Sequence, residues 1–89
     1  MVPVVAVQTV PPLHPGAPVA PASGGKAIVD FIVDQQGTPR MPVVVSSTHE
    51  LFGEAAVDAL SRWRFQPPTR GGRPVAVRVT QEFVFPERS

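Results

Sequence analysis

Eighty-nine residues allow one small hydrophobic core and leave no room for a second. Hydrophobic residues make up 43% of the chain and charged residues 17%, a balance that suits a folded domain, while a net charge of +1 excludes the basic field of a nucleic-acid binder. The absence of cysteine removes disulfides, thiolate nucleophiles and thiolate metal sites, and no apolar run approaches the ~20 residues that cross a bilayer.

Six of the twelve prolines lie within the first 21 residues. Each removes a backbone donor and biases its predecessor away from helix, so this end holds at most a short strand over residues 3–8, followed by extended, polyproline-like chain over residues 10–21. Residues 1–23 therefore read as an extended, proline-rich segment and residues 24–89 as the folded domain. A fold-back of residues 4–8 onto a sheet edge is the alternative for the first strand.

The run KAIVDFIVD alternates, with Ala27, Val29, Phe31 and Val33 on one face and Ile28, Asp30, Ile32 and Asp34 on the other, the pattern of a strand. Gln35-Gln36-Gly37 supplies a turn, and RMPVVVSS returns as the antiparallel partner, with Pro42 expected at an edge or bulge where its missing N–H does no harm. Ser47 followed by Glu50 three residues later reads as a capping box that starts a helix. Leu51, Phe52, Ala55, Ala56, Ala59, Leu60 and Trp63 form its apolar stripe, with Glu50, Glu54, Asp58 and Arg62 on the opposite face. Pro67 and Pro68 stop the helix, the paired glycines of TRGGR turn the chain, and PVAVRVTQEFVF is a long alternating strand. Its faces are Val75, Val77, Val79, Gln81, Phe83 and Phe85 against Ala76, Arg78, Thr80, Glu82 and Val84.

This order predicts an α+β fold, strand-strand-helix-strand, in which one helix covers one face of a three-stranded antiparallel sheet of order 2-1-3. The third strand then keeps one edge unpaired. Trp63 is expected to face the sheet and complete the core, Phe65 to tuck beneath the sheet's end, and Arg62 and Arg64 to lie in solvent.

The ordered set of Gly25, Val33-Asp34 with Gly37, Val43 with Ser46-Ser47, Ala55-Ala56, Ala59-Leu60, Trp63-Arg64-Phe65, and Gly72 with Pro74-Val75 resembles the C-terminal domain of TonB-type energy transducers over residues 12–85. Two departures stand out. The family's tyrosine-proline is His14-Pro15 here, and the short helix that follows it is replaced by GAPVAPASGG. The resemblance implies a periplasmic domain, tethered to the inner membrane by parts outside this chain. It implies that the domain captures the N-terminal box peptide of an outer-membrane transporter by strand addition, while an inner-membrane motor complex pulls through it. The residues expected to meet that peptide are Arg78, Val79, Thr80, Gln81, Glu82, Phe83 and Val84.

No enzyme is expected. His14 and His49 are the only imidazoles, HELFG lacks the second histidine of a zinc-protease helix, and no phosphate loop occurs, so no catalytic, metal or cofactor site is assigned. Nucleic acid is excluded as a partner by the Glu50, Glu54 and Asp58 stripe and by aromatics that share a face with core valines. The rival reading is structural: a TonB-like module of another cell-envelope protein, or a homodimer formed through the open edge.

Overall fold

The computed structural model describes residues 4–11 and 24–86. The extended chain expected after Pro11 and the His14-Pro15 pair lie outside the described residues. In chain order the elements are β1 (Val5–Gln8), β2 (Gly25–Val33), β3 (Pro39–Ser47), α1 (Glu50–Leu60), β4 (Arg64–Gln66), β5 (Thr69–Arg70), β6 (Arg73–Pro74) and β7 (Val77–Phe85). The three long strands form an antiparallel sheet of order β3-β2-β7, the 2-1-3 arrangement expected.

The alternation of β2 sets the core. Ala27, Val29, Phe31 and Val33 are buried on the face that carries α1, and Phe83 and Phe85 join them from β7. From the helix come Phe52, Ala56, Ala59 and Leu60. Phe52 stacks on Phe85 with ring centroids 4.6 Å apart, pinning the helix start to the end of β7. Beyond that contact α1 lies across β2 and β3. The inner face of β7 at Val77, Val79 and Gln81 is consequently only half-buried.

The β2–β3 turn is built around Asp34. Its Oδ1 accepts from the N–H groups of Gln36 and Thr38, each at 2.9 Å, and its Oδ2 accepts from Arg40 Nε at 3.0 Å. These donors favour the carboxylate, the Thr38 N–H first and the Arg40 side chain next, and hold the Asp34 carboxyl below the usual aspartate value of about 3.9. A group bound more tightly when ionised contributes stability that is complete above the unfolded value and is lost as pH falls from there through the lower folded value. We therefore predict that thermal melts of the wild-type chain and Asp34→Asn, run from pH 7 down to about pH 2.5, converge below about pH 4. Parallel melting curves across that window would show that the turn draws nothing from the ionised carboxylate.

Four sequence expectations are corrected. Ser47 does not cap the helix, because it is still paired with Ala27 as the last residue of β3. Thr48 is likewise occupied, its Oγ1 accepting from the Lys26 N–H at 3.1 Å, so His49 becomes the N-cap and its Nδ1 accepts from the Leu51 N–H at 3.1 Å. Glu50 opens the helix as its first-turn acid, where it suits the positive end of the dipole. The helix ends at Leu60, well before Pro67, so Trp63 reaches the core from the following turn rather than as a member of the helical stripe. Strand β7 begins at Val77, later than the alternation suggested, because Arg73 and Pro74 pair with Arg70 and Thr69 in a small hairpin.

The early stop of α1 frees residues 64–66 to form β4, which pairs antiparallel with β1 through Val5↔Gln66 and Ala6↔Phe65. The N-terminal strand thus folds back onto β4, and among the described residues no strand pairs with either outer edge of the three-stranded sheet. Trp63 strengthens this attachment: its indole Nε1–H donates to the Val10 carbonyl at 2.9 Å, while its ring packs on Phe83 and Phe65. Phe65 is buried against Phe31, as expected of it. Arg62 pairs with Asp58 at 3.2 Å in solvent, and Arg64 donates to the Ser61 and Trp63 carbonyls, closing the helix C-terminus rather than presenting a binding surface.

Candidate strand-docking edge

Among the described residues, two long strands, β3 and β7, each have one free edge. Their sequences make those edges very different. Strand β3 loses register with β2 twice, between Ile28 and Val29 and between Asp30 and Ile32. Near the second break it carries Pro42, at an edge and beside an irregularity as its chemistry requires, and Met41 with φ 50 in the left-handed region. A proline, two breaks and a left-handed residue are the devices by which proteins blunt an exposed edge against strand addition. Strand β7 has none of them. It pairs with β2 through nine consecutive residues without a shift, from Gly25↔Phe85 to Val33↔Val77.

The register also determines which backbone groups of β7 are free. Lys26 turns both its N–H and its C=O toward Thr48, on the β3 side. Backbone direction alternates along a regular antiparallel strand, so Lys26, Ile28, Asp30 and Ile32 aim at β3, and Ala27, Val29, Phe31 and Val33 aim at β7. Their opposite residues, Phe83, Gln81, Val79 and Val77, therefore spend their backbone groups on β2. The N–H and C=O of Arg78, Thr80, Glu82 and Val84 point away from the sheet. Four donors and four acceptors stand in one row.

The seven residues predicted to meet a partner divide accordingly. Arg78, Thr80, Glu82 and Val84 are exposed on the face opposite the helix, with Val84 63% exposed. Val79 and Gln81 are half-buried on the helix side, and Phe83 is buried beneath Trp63. Thr80 Oγ1 donates to Asp30 Oδ1 across the pair, tying the middle of β7 to β2. Beside that pair a shallow cavity of about 280 Å³ opens on the exposed face, lined by Asp30, Phe31, Ile32, Met41, Val43 and Arg78. Sequence reasoning missed the Asp30–Thr80 link and the blunting of β3. The first has no local signal, and the second was signalled only by Pro42.

The family described as Gram-negative bacterial TonB protein C-terminal matches residues 12–86. Protein TonB of Pseudomonas aeruginosa is 30% identical over 76 residues, which cover 84% of this chain and 22% of that protein. The chain thus spans about a fifth of its curated relative's length. The solution NMR structure of the Pseudomonas aeruginosa TonB C-terminal domain superposes with a TM-score of 0.75 at 28% identity, covering 92% of this chain and 84% of that one. No helix among the described residues is long and apolar enough to cross a membrane. A matched profile across most of the sequence and a shared fold lead to one conclusion: this chain belongs to the TonB C-terminal domain family.

Proposed function

We propose that this chain is the partner-binding domain of a TonB-like energy transducer. It works in the periplasm, and it captures the N-terminal box peptide of an outer-membrane transporter as an added strand along the free edge of β7. The observation that carries this reading is the uninterrupted register of β7, which turns the backbone groups of Arg78, Thr80, Glu82 and Val84 outward in one row while β3 is blunted. Residues 1–23 are the end of the spacer through which an inner-membrane motor pulls, with Val5–Gln8 docked on β4.

The geometry also describes the guest. Side chains of an added strand alternate between the half-buried shelf of Val77, Val79 and Gln81 and the exposed row of Arg78, Thr80 and Glu82. If about six backbone bonds form at ~1 kcal/mol net each, and ordering the peptide costs ~2 to 5 kcal/mol, contacts on the apolar shelf must supply most of the remainder of a micromolar affinity.

The test is amide-shift mapping with synthetic peptides taken from the N-termini of outer-membrane transporters of the same genome. Docking at this edge shifts the Arg78, Thr80, Glu82 and Val84 amides most. Shifts centred on β3, or none with any peptide, would overturn the reading. Sedimentation over a range of concentrations distinguishes the rival in which the same edge pairs with a second copy.

A further inference from the structure

Gln81 is the one polar side chain in the inward row of β7, among Val77, Val79, Phe83 and Phe85, and it is half-buried there. A valine at this position would extend the apolar shelf, so the amide costs packing that something must offset. Its carboxamide is not spent on the core. Nε2 donates to the carbonyl oxygen of Glu82 at 2.9 Å. Glu82 is one of the four residues whose backbone carbonyl is directed out of the sheet by the β2–β7 register. The Gln81 side chain therefore curls over the strand and satisfies an acceptor on the open edge, at the place where an incoming strand would supply an N–H. Among the described residues no other side chain is hydrogen-bonded to an outward backbone group of β7. The neighbouring Thr80 hydroxyl turns the other way, to Asp30.

We infer that Gln81 is a guard of the docking edge: its carboxamide occupies the Glu82 carbonyl in the free domain and must be displaced when a strand is added. The inference rests on β7 being the docking edge. It makes capture an exchange of one hydrogen bond for another at this position, so the guest gains less there than at Arg78, Thr80 or Val84. It also gives the lone domain a blunted acceptor in the middle of an edge that is otherwise clean, which disfavours casual pairing.

Two variants separate the parts of the side chain. Gln81→Met keeps the length and removes the donor, and Gln81→Val removes both while restoring the apolar row. Peptide affinity is measured by titration with the tightest-binding transporter peptide, alongside the side-chain amide signals of Gln81 in the wild-type domain. Both variants are expected to bind about three- to tenfold more tightly, the effect of freeing one acceptor, and the wild-type Gln81 amide signals are expected to shift on saturation. If the wild-type domain binds and the variants bind equally or more weakly, with shifts still centred on β7, the guard is refuted and the docking edge stands. If the wild-type domain binds none of the peptides, the docking edge and the guard fall together.

Discussion

Thr80→Pro is expected to abolish peptide capture while leaving the domain folded, whereas Val79→Pro, one residue earlier, is expected to unfold it. The contrast follows from register alone. The Val79 N–H is directed at Phe31 in β2, so proline there deletes a ladder bond in the middle of the central pair and leaves a buried carbonyl unsatisfied. The Thr80 N–H is directed away from the sheet, so proline there deletes nothing the fold uses except the hydroxyl contact to Asp30, worth about 1 kcal/mol in an exposed setting. For a guest the cost is much greater. It loses a central donor, and the pyrrolidine ring projects into the lane its backbone must occupy. Binding should fall by at least about a hundredfold if two bonds and the adjacent contacts are lost together. Circular dichroism and titration on both variants provide the check. A folded Thr80→Pro that still binds within a few-fold of wild type would mean that the guest docks elsewhere.

Features of this fold are legible in the amino-acid sequence where they are periodic. The alternation of β2 and β7 is self-reporting, since one face had to be buried, and it delivered the core; the sheet order followed from the element order and the right-handed crossover. Apolar spacing placed the body of α1 correctly but not its ends. Ser47 and Glu50 satisfy the pattern of a capping box, yet the ladder to Ala27 claims Ser47 first, and a tertiary contact of this kind leaves no trace in local sequence. The same is true of the C-terminus, where Trp63 matches the helical period but the turn after Leu60 is needed so that β4 can meet β1. Strands β1 and β4 are short and are paired by chain segments more than fifty residues apart, which no window of the sequence contains. For the proposed docking edge, the alternation of residues 78–84 is legible in the sequence but the direction of their backbone groups is not. That direction depends on a single anchoring contact, Lys26 with Thr48.

Gly37→Ala is expected to destabilise the domain far more than the same substitution at Gly71. Gly37 closes the turn organised by Asp34, its N–H donating to the Asp34 carbonyl at 3.0 Å, and its backbone lies in the left-handed region at φ 83. Its own carbonyl accepts from the Phe65 N–H at 2.9 Å, which brings β4 directly over the turn. A β-carbon at this position would overlap the Phe65 carbonyl oxygen, and backbone cannot swing aside as a long side chain would. The turn would have to change conformation or release β4, and with it the burial of Phe65 and the pairing with β1. Gly71 isolates the second cost from the first: its φ is 60, but a β-carbon there meets nothing within 4 Å. Gly71→Ala should therefore lose only the roughly 1 to 2 kcal/mol of a left-handed alanine. Gly37→Ala adds an overpacking cost of about 1 to 3 kcal/mol or more, a large share of the ~5 to 15 kcal/mol that holds a small domain together. Urea unfolding of the two variants decides the matter: equal losses would mean that β4 does not press on the turn, while a Gly37→Ala chain already partly unfolded in buffer, beside a cooperative Gly71→Ala transition, is the outcome that the close approach of Phe65 requires.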